Sequence, residues 1–137
     1  MFQNPSEQEI KRLLESSKRI AVVGLSNKPE RDSYEVASVL QKAGYEIIPV
    51  NPVIDEVLGV KAVASLSDIE EPVDIVDVFR RPEQVMPIAE EAVKIGAKAI
   101  WFQLGVTNEQ AAEYAQNNGI TVIMDRCIKV EHRRLLG

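Results

Sequence analysis

The chain has 137 residues and a formal net charge of −5, with 45% hydrophobic and 27% charged residues. This length predicts one domain whose core needs neither a metal nor a disulfide, and the single cysteine, Cys127, indicates a reducing, cytoplasmic location. The acidic balance argues against a nucleic-acid-binding protein. We expect no signal peptide and no membrane association, because the sequence lacks an apolar run of the ~20 residues that cross a bilayer.

Caps and apolar spacings divide the first part of the chain into helix, strand, helix and strand. Ser6 and Glu9 form a predicted capping box at the start of a helix of about ten residues. The first strand, Arg19–Val23, is apolar almost throughout, as expected for a strand buried on both faces. A second helix follows the loop 24–32 and ends at Gly44, and Glu46–Val50 is the second strand. The buried stripe of the second helix is Val36, Val39, Leu40 and Ala43.

The same alternation of strands and helices resumes after an irregular segment over residues 51–69. The third strand is Val73–Val78, and Pro87 belongs to the first turn of the next helix, because a proline inside a helix breaks it. Thr107 is the predicted N-cap of the following helix. The remaining predicted elements are the strands Ala97–Phe102 and Ile120–Met124 and a final helix, Cys127–Leu136.

Strands that alternate with helices indicate βαβ units and therefore a parallel sheet. The predicted fold class is α/β, an open parallel sheet of five strands with helices on both faces. Numbering these strands along the chain, we predict the order 3-2-1-4-5. Residues 1–137 form a single domain on this interpretation.

Ligands of such sheets bind beyond the carboxyl ends of the strands. The first strand ends at Gly24 and opens into a polar loop before a helix, a pattern typical of phosphate binding by backbone N–H groups. Cations after the strand ends predict a basic crevice for an anionic small molecule: Lys28, Arg31, Arg80, Arg81 and Arg126. The strand ends carry no carboxylate pair, no Ser-His-acid set and no metal-ligand cluster, so we predict no catalytic residue and no metal.

The residue at the end of the second strand argues against NAD as the ligand. NAD-binding domains usually place Asp or Glu there and have two further glycines in the first loop. This chain has Asn51 at that position and lacks those glycines. The sequence therefore predicts a nucleotide site for something other than NAD.

Five segments of the chain, in their order, carry a resemblance to one family: Gly24–Tyr34, Gly44–Pro52, Val76–Pro82, Trp101–Gly105 and Met124–Cys127. They resemble the motifs of the small single-domain CoA-binding proteins of bacteria and archaea, which are similar to the N-terminal domain of the succinyl-CoA synthetase α subunit. The resemblance covers nearly the whole chain. It implies a Rossmann-like fold and the binding of coenzyme A or an acyl-CoA, without implying a reaction.

The resemblance also assigns parts of the ligand to positions of this sequence. It places phosphate at the loop after Gly24, adenosine beside Val50 and Pro52, and the pantetheine thiol toward Cys127. Where the synthetase has a lysine this chain has Ile54, so the 3′-phosphate needs another cation. The predicted cofactor-binding residues are Gly24, Leu25, Ser26, Asn27, Lys28, Arg31, Ser33, Val50, Asn51, Pro52, Phe79, Arg80, Pro82, Gln103, Gly105 and Cys127.

Two other functions remain open at this point, an NAD(P)- or nucleotide-dependent enzyme on the same fold and a regulatory or interaction module without a ligand. The role of Cys127 is also open, between a thiol beside the ligand and a small buried side chain. Its spacing from His132 does not place both side chains on one helical face, so we expect no Cys-His dyad. Trp101 and Phe102 are expected on opposite faces of the sheet. The sequence identifies no protein partner.

Overall fold

A computed structural model describes residues 2–137 as strands alternating with helices. The strands are β1 (Arg19–Val23), β2 (Glu46–Val50), β3 (Glu56–Val57), β4 (Val60–Lys61), β5 (Ile75–Val78), β6 (Ala99–Phe102) and β7 (Thr121–Met124). The helices are α1 (Glu7–Ser16), α2 (Asp32–Lys42), α3 (Met86–Lys94), α4 (Glu109–Asn117) and α5 (Ile128–Leu136). Single 3-10 turns cover Leu66–Asp68 and Pro82–Gln84.

The predicted α/β fold class is confirmed, but the predicted strand order is wrong. The five parallel strands lie in the order β2-β1-β5-β6-β7, so that the third long strand pairs with β1 and not with β2. Pro49 explains the difference, because it lies in β2 and has no N–H to donate to a further strand. Its carbonyl faces away from β1 and accepts from Val63 N–H at 3.0 Å. The predicted order would have required a hydrogen bond that Pro49 cannot make.

The segment predicted to be irregular contains a short hairpin beside the edge of β2. Here β3 pairs with β4 in antiparallel fashion, and Val63 then forms a single parallel bridge with Val50. Asn51 N–H donates to the Val63 carbonyl at 2.9 Å. These contacts cover part of the edge strand that Pro49 defines.

Helices pack against both faces of the sheet. One layer combines α1, α2 and α5 with Trp101, and the other combines α3 and α4 with Phe102, so the two aromatic residues point to opposite faces as predicted. Pro87 lies in the first turn of α3, which confirms its predicted position. The predicted N-cap of α4 is one residue early: Asn108, not Thr107, accepts from Ala111 N–H. The Asn108 amide also donates to the Pro82 carbonyl, a second bond that fixes its position as the cap.

Gly24 brings the ends of three strands together. Its N–H donates to the Val50 carbonyl, and the N–H of Phe79 donates to the Val23 carbonyl, both at 2.9 Å. Gly24 has a φ of +86°, and a Cβ added to it would overlap the Phe79 carbonyl oxygen. Only glycine permits this backbone conformation and this approach without strain.

Asp77 is an unusual residue for the centre of the sheet. It lies in β5 between Val22 of β1 and Trp101 of β6, and it is fully buried. Neither carboxylate oxygen has a hydrogen-bond partner within residues 2–137. Burial raises the pKa of the Asp77 carboxyl well above its usual value, because an unpaired charge is strongly disfavoured there.

We predict that Gly24→Ala lowers the free energy of unfolding by about 2–4 kcal/mol, the combined cost of a positive φ and of overlap with Phe79. Gly119→Ala is the matched control. Gly119 has a nearly identical φ of +84°, but apart from its chain neighbours no atom of residues 2–137 lies within 4 Å of an added Cβ. Gly119→Ala should therefore lower the free energy of unfolding only by the cost of the positive φ, about 1 kcal/mol. Urea unfolding measures both values, and equal losses would contradict the proposed contact.

We predict that the stability of the wild type falls relative to Asp77→Asn as the pH rises. The folded state holds the Asp77 proton more tightly than the unfolded state. The stabilisation of the fold by this proton is therefore complete below the unfolded pKa of about 3.9. It is lost as the pH rises toward the folded pKa, by at most about 1.4 kcal/mol per pH unit. Urea unfolding between pH 4 and 8 measures this difference. Asp55→Asn, at an exposed carboxyl, is the control, and parallel profiles for the wild type and Asp77→Asn would disprove the interpretation.

Candidate functional site

A cleft of about 1000 Å³ lies at the carboxyl ends of β1, β5 and β6. The strand order explains its position, because the chain leaves β1 toward β2 and leaves β5 toward β6, in opposite directions, and this creates a crevice between β1 and β5. Ten of the predicted cofactor-binding residues line it: Gly24, Ser26, Arg31, Ser33, Phe79, Arg80, Pro82, Gln103, Gly105 and Cys127.

The loop after β1 is held in shape by its own side chains. Ser33 Oγ, in the first turn of α2, accepts from Ser26 N–H at 3.0 Å, and Ser26 Oγ accepts from Lys28 N–H at 3.0 Å. With Gly24 N–H bonded to β2, these amides already have partners in the protein. The start of α2 is different, since its N-cap residue Arg31 makes no side-chain cap. The helix therefore directs its first N–H groups toward the end of the cleft that Arg31, Asp32 and Ser33 line.

Six predicted residues lie outside the lining of the cleft, namely Leu25, Asn27, Lys28, Val50, Asn51 and Pro52. Leu25 and Val50 are buried in the core, whereas Asn27, Lys28 and Pro52 are exposed. Both ends of the Asn51 amide are used within the protein: Nδ2 donates to the Leu25 carbonyl and Oδ1 accepts from Val53 N–H, each at 3.0 Å. Asn51 thus ties the loop after β1 to a turn after β2.

Arg80 occupies the centre of the crevice. Its Nε lies 3.4 Å from the position that a Cβ of Gly24 would take, so its side chain crosses the point where β1 and β5 end. Arg81 and Arg31 line the same cleft. Arg126, which the sequence also suggested for the crevice, is exposed outside the lining and donates to the Asp125 carbonyl.

Sequence reasoning missed a cation and three acids in this lining. Lys129, from the first turn of α5, donates to Glu35 of α2 at 2.6 Å, which lowers the pKa of the Glu35 carboxyl. Glu30 and Asp32 also line the cleft. The position of Lys129, two residues beyond Cys127 at the predicted start of a helix, was the available signal for its presence near the strand ends. The crevice is therefore basic at its centre but carries acids at the start of α2.

The lining residues that follow β6 are uncharged, and Lys129, the cation that α5 adds beside them, is paired with Glu35. Gln103 is only 5% exposed, and its Oε1 accepts from Ile128 N–H at 3.1 Å, which caps the start of α5. Leu104, Val106 and Val130 form apolar lining, with Leu104 68% exposed. The Cys127 thiol is half-buried at this end.

His132, the one histidine of the chain, is directed away from this end of the cleft. Its ring packs edge-on against Tyr45, with 5.6 Å between the ring centroids. Within residues 2–137 no three His, Cys, Asp or Glu side chains lie together as a possible metal site. None of the helices in that range is both long enough and apolar enough to cross a membrane.

Comparisons with known proteins bear on the identity of this cleft. Residues 18–133 match the family model described as CoA binding domain. The protein YneT of Bacillus subtilis (strain 168) is 58% identical over 131 residues, which cover 96% of this chain and 97% of YneT. A solved structure of a protein from Pyrococcus horikoshii OT3 is 39% identical with a TM-score of 0.95, and the match covers 100% of this chain and 99% of that one.

An enzyme subunit contains a related segment. Subunit alpha of ADP-forming acetate–CoA ligase II from Pyrococcus furiosus is 32% identical over 123 residues, which cover 81% of this chain. The match spans only 27% of the length of that subunit. The resemblance to CoA-binding proteins that the five sequence segments carry is thus confirmed, and the chain belongs to the CoA-binding domain family.

Proposed function

We propose that the cleft binds coenzyme A or an acyl-CoA and that the protein performs this binding without a reaction of its own. The observation that carries the proposal is the position of Arg80, whose guanidinium group lies over Gly24 at the crevice between β1 and β5. Phosphate groups are bound at this kind of crevice in open α/β sheets. An arginine offers them paired N–H donors and a fixed positive charge.

The dimensions and charges of the cleft support the same ligand. Its volume of about 1000 Å³ is at the upper end of small-molecule sites, which suits an elongated ligand with several parts. Arg31 and Arg81 supply further positive charge to the lining, whereas the lining residues that follow β6 are uncharged. We therefore place the phosphates near Arg80 and the uncharged arm of the ligand toward Gln103.

The non-catalytic role rests on the separation of the reactive side chains. Cys127 lines the cleft, whereas His132 contacts Tyr45 on the other side of α5 and does not belong to the lining. A cysteine nucleophile is usually activated by an adjacent base, and His132 is not placed to serve as one. A cytoplasmic location remains a prediction from the single cysteine, and partner proteins remain unassigned.

We predict that titration calorimetry detects binding of CoA and that dephospho-CoA binds about 10- to 100-fold more weakly. One charge-assisted phosphate contact contributes about 1.5–3 kcal/mol, which corresponds to this factor. NAD should bind least, because Asn51 replaces the ribose-binding acid and both ends of its amide are occupied. NAD binding as tight as CoA binding would favour the nucleotide-dependent enzyme, and no binding of either would favour the ligand-free module.

We predict that Arg80→Gln weakens CoA binding at least about 10-fold, because it removes the charge at the crevice. Arg133→Gln is the matched control, since Arg133 is an exposed arginine of α5 outside the lining of the cleft. It should bind CoA like the wild type. Thermal unfolding of both variants checks that the fold is intact. If a folded Arg80→Gln variant binds CoA as tightly as the wild type, the phosphates do not bind at Arg80.

A further inference from the structure

We propose that the Gln103 end of the cleft binds the carbonyl group and the apolar chain of an acyl thioester, so that the protein prefers acyl-CoA to free CoA. This inference rests on the proposed function, because it assumes that the ligand lies with its phosphates near Arg80. It adds the chemical group that the other end of the cleft recognises. Three features of the described residues carry it: an oriented amide, an unused donor and exposed apolar side chains.

The orientation of the Gln103 amide is fixed by its bond to α5. Because Ile128 N–H needs an acceptor, the oxygen of the amide must be the atom that faces the helix, at 3.1 Å. The other end of the amide is then the Nε2 amino group, which can only donate. The protein thus determines which end of Gln103 is available to a ligand.

The Nε2 group has no hydrogen-bond partner among residues 2–137. The Nε2 atom is not fully buried, and the Gln103 side chain to which it belongs lines the cleft. An unpaired donor in a nearly buried side chain favours a ligand that brings an acceptor. A thioester carbonyl oxygen is a good acceptor, whereas a free thiol is a weak one.

Apolar side chains beside Gln103 provide a surface for the acyl chain. Leu104 is 68% exposed and Val130 is 38% exposed, and both line the cleft together with the buried Val106. Covering such side chains with a ligand stabilises the complex in proportion to the apolar area removed from water. The thiol of free CoA would leave this surface open to solvent.

The distribution of charge in the cleft favours one orientation of the bound ligand. Arg31, Arg80 and Arg81 lie toward the ends of β1 and β5, and Gln103, Leu104 and Val106 follow β6, the next strand. A polyanionic head and an uncharged acyl end match these two regions in one orientation only. The reverse orientation would place phosphates against leucine and valine and leave the arginines without a partner.

The experiment compares three ligands by titration calorimetry: CoA, butyryl-CoA, and S-butyl-CoA, a thioether that keeps the four carbons and lacks the carbonyl. Butyryl-CoA should bind about two- to tenfold more tightly than the thioether, the range expected for one neutral hydrogen bond. The thioether should in turn bind more tightly than CoA, because it covers Leu104 and Val130. Equal affinities for butyryl-CoA and the thioether in the wild type would overturn the carbonyl contact.

Gln103→Glu tests the donor directly, since it keeps an oxygen for Ile128 N–H and replaces the amino group by an acceptor. At pH 8 the affinity ratio of butyryl-CoA to the thioether should fall to about one or below. Gln103→Met, which removes both polar ends, should lower the ratio in the same way. Gln116→Glu is the control, because it adds the same charge at an exposed glutamine of α4 outside the lining of the cleft and should leave the ratio unchanged.

Three further outcomes decide between this inference and the proposed function. If Gln103→Glu weakens all three ligands equally and preserves the ratio, the amide binds the pantetheine arm and the acyl preference is overturned. If CoA binds to the wild type but the acyl compounds bind no better, the proposed function stands and the inference fails. If none of the three ligands binds, both are overturned.

Discussion

The site depends on one close approach, that of the Gly24 backbone to the Phe79 carbonyl. This approach holds the ends of β1 and β5 side by side, and the cleft opens directly above them. Arg80 follows Phe79 in the chain and is therefore delivered to the crevice by the backbone of β5. Because the contact joins backbone to backbone, it fixes the point at which the Arg80 side chain leaves the main chain.

The sequence was sufficient for the fold class because its periodicities are unambiguous. The apolar run of β1 and the helical spacing of the apolar residues of α2 leave few alternatives to a parallel sheet. The residues at the strand ends then identify much of the cleft. The strand order was missed although Pro49 contained the signal, since a strand with a proline in its middle is an edge strand. Lys129 was missed because its approach to Glu35 depends on how α5 packs beside α2, which local patterns do not determine.

Two side-chain amides show that the sequence does not determine which backbone groups a polar side chain will bond. Asn51 and Gln103 both follow a strand at the ligand edge of the sheet, and both resembled binding residues. The structure uses both ends of Asn51 to join two loops, whereas Gln103 bonds through its oxygen alone within the described part of the chain. The difference lies in the backbone groups across from each side chain, which belong to other parts of the chain. Asp77 is a related case, because its sequence neighbours do not reveal that the fold buries its carboxyl group without a hydrogen-bond partner among residues 2–137.

The uneven distribution of charge has a consequence for the kinetics of ligand exchange. The chain as a whole carries −5, and acids Glu30, Asp32 and Glu35 lie among the cations of the cleft. A polyanion approaching from solution therefore meets a repulsive field at long range and an attractive one only within contact distance of the arginines. Added salt screens the repulsion over distances beyond about 10 Å, and it also weakens the contacts proposed for the phosphates of CoA. Ionic strength should then raise the association rate and the dissociation rate together, so that the ligand exchanges faster while its affinity changes less than either rate.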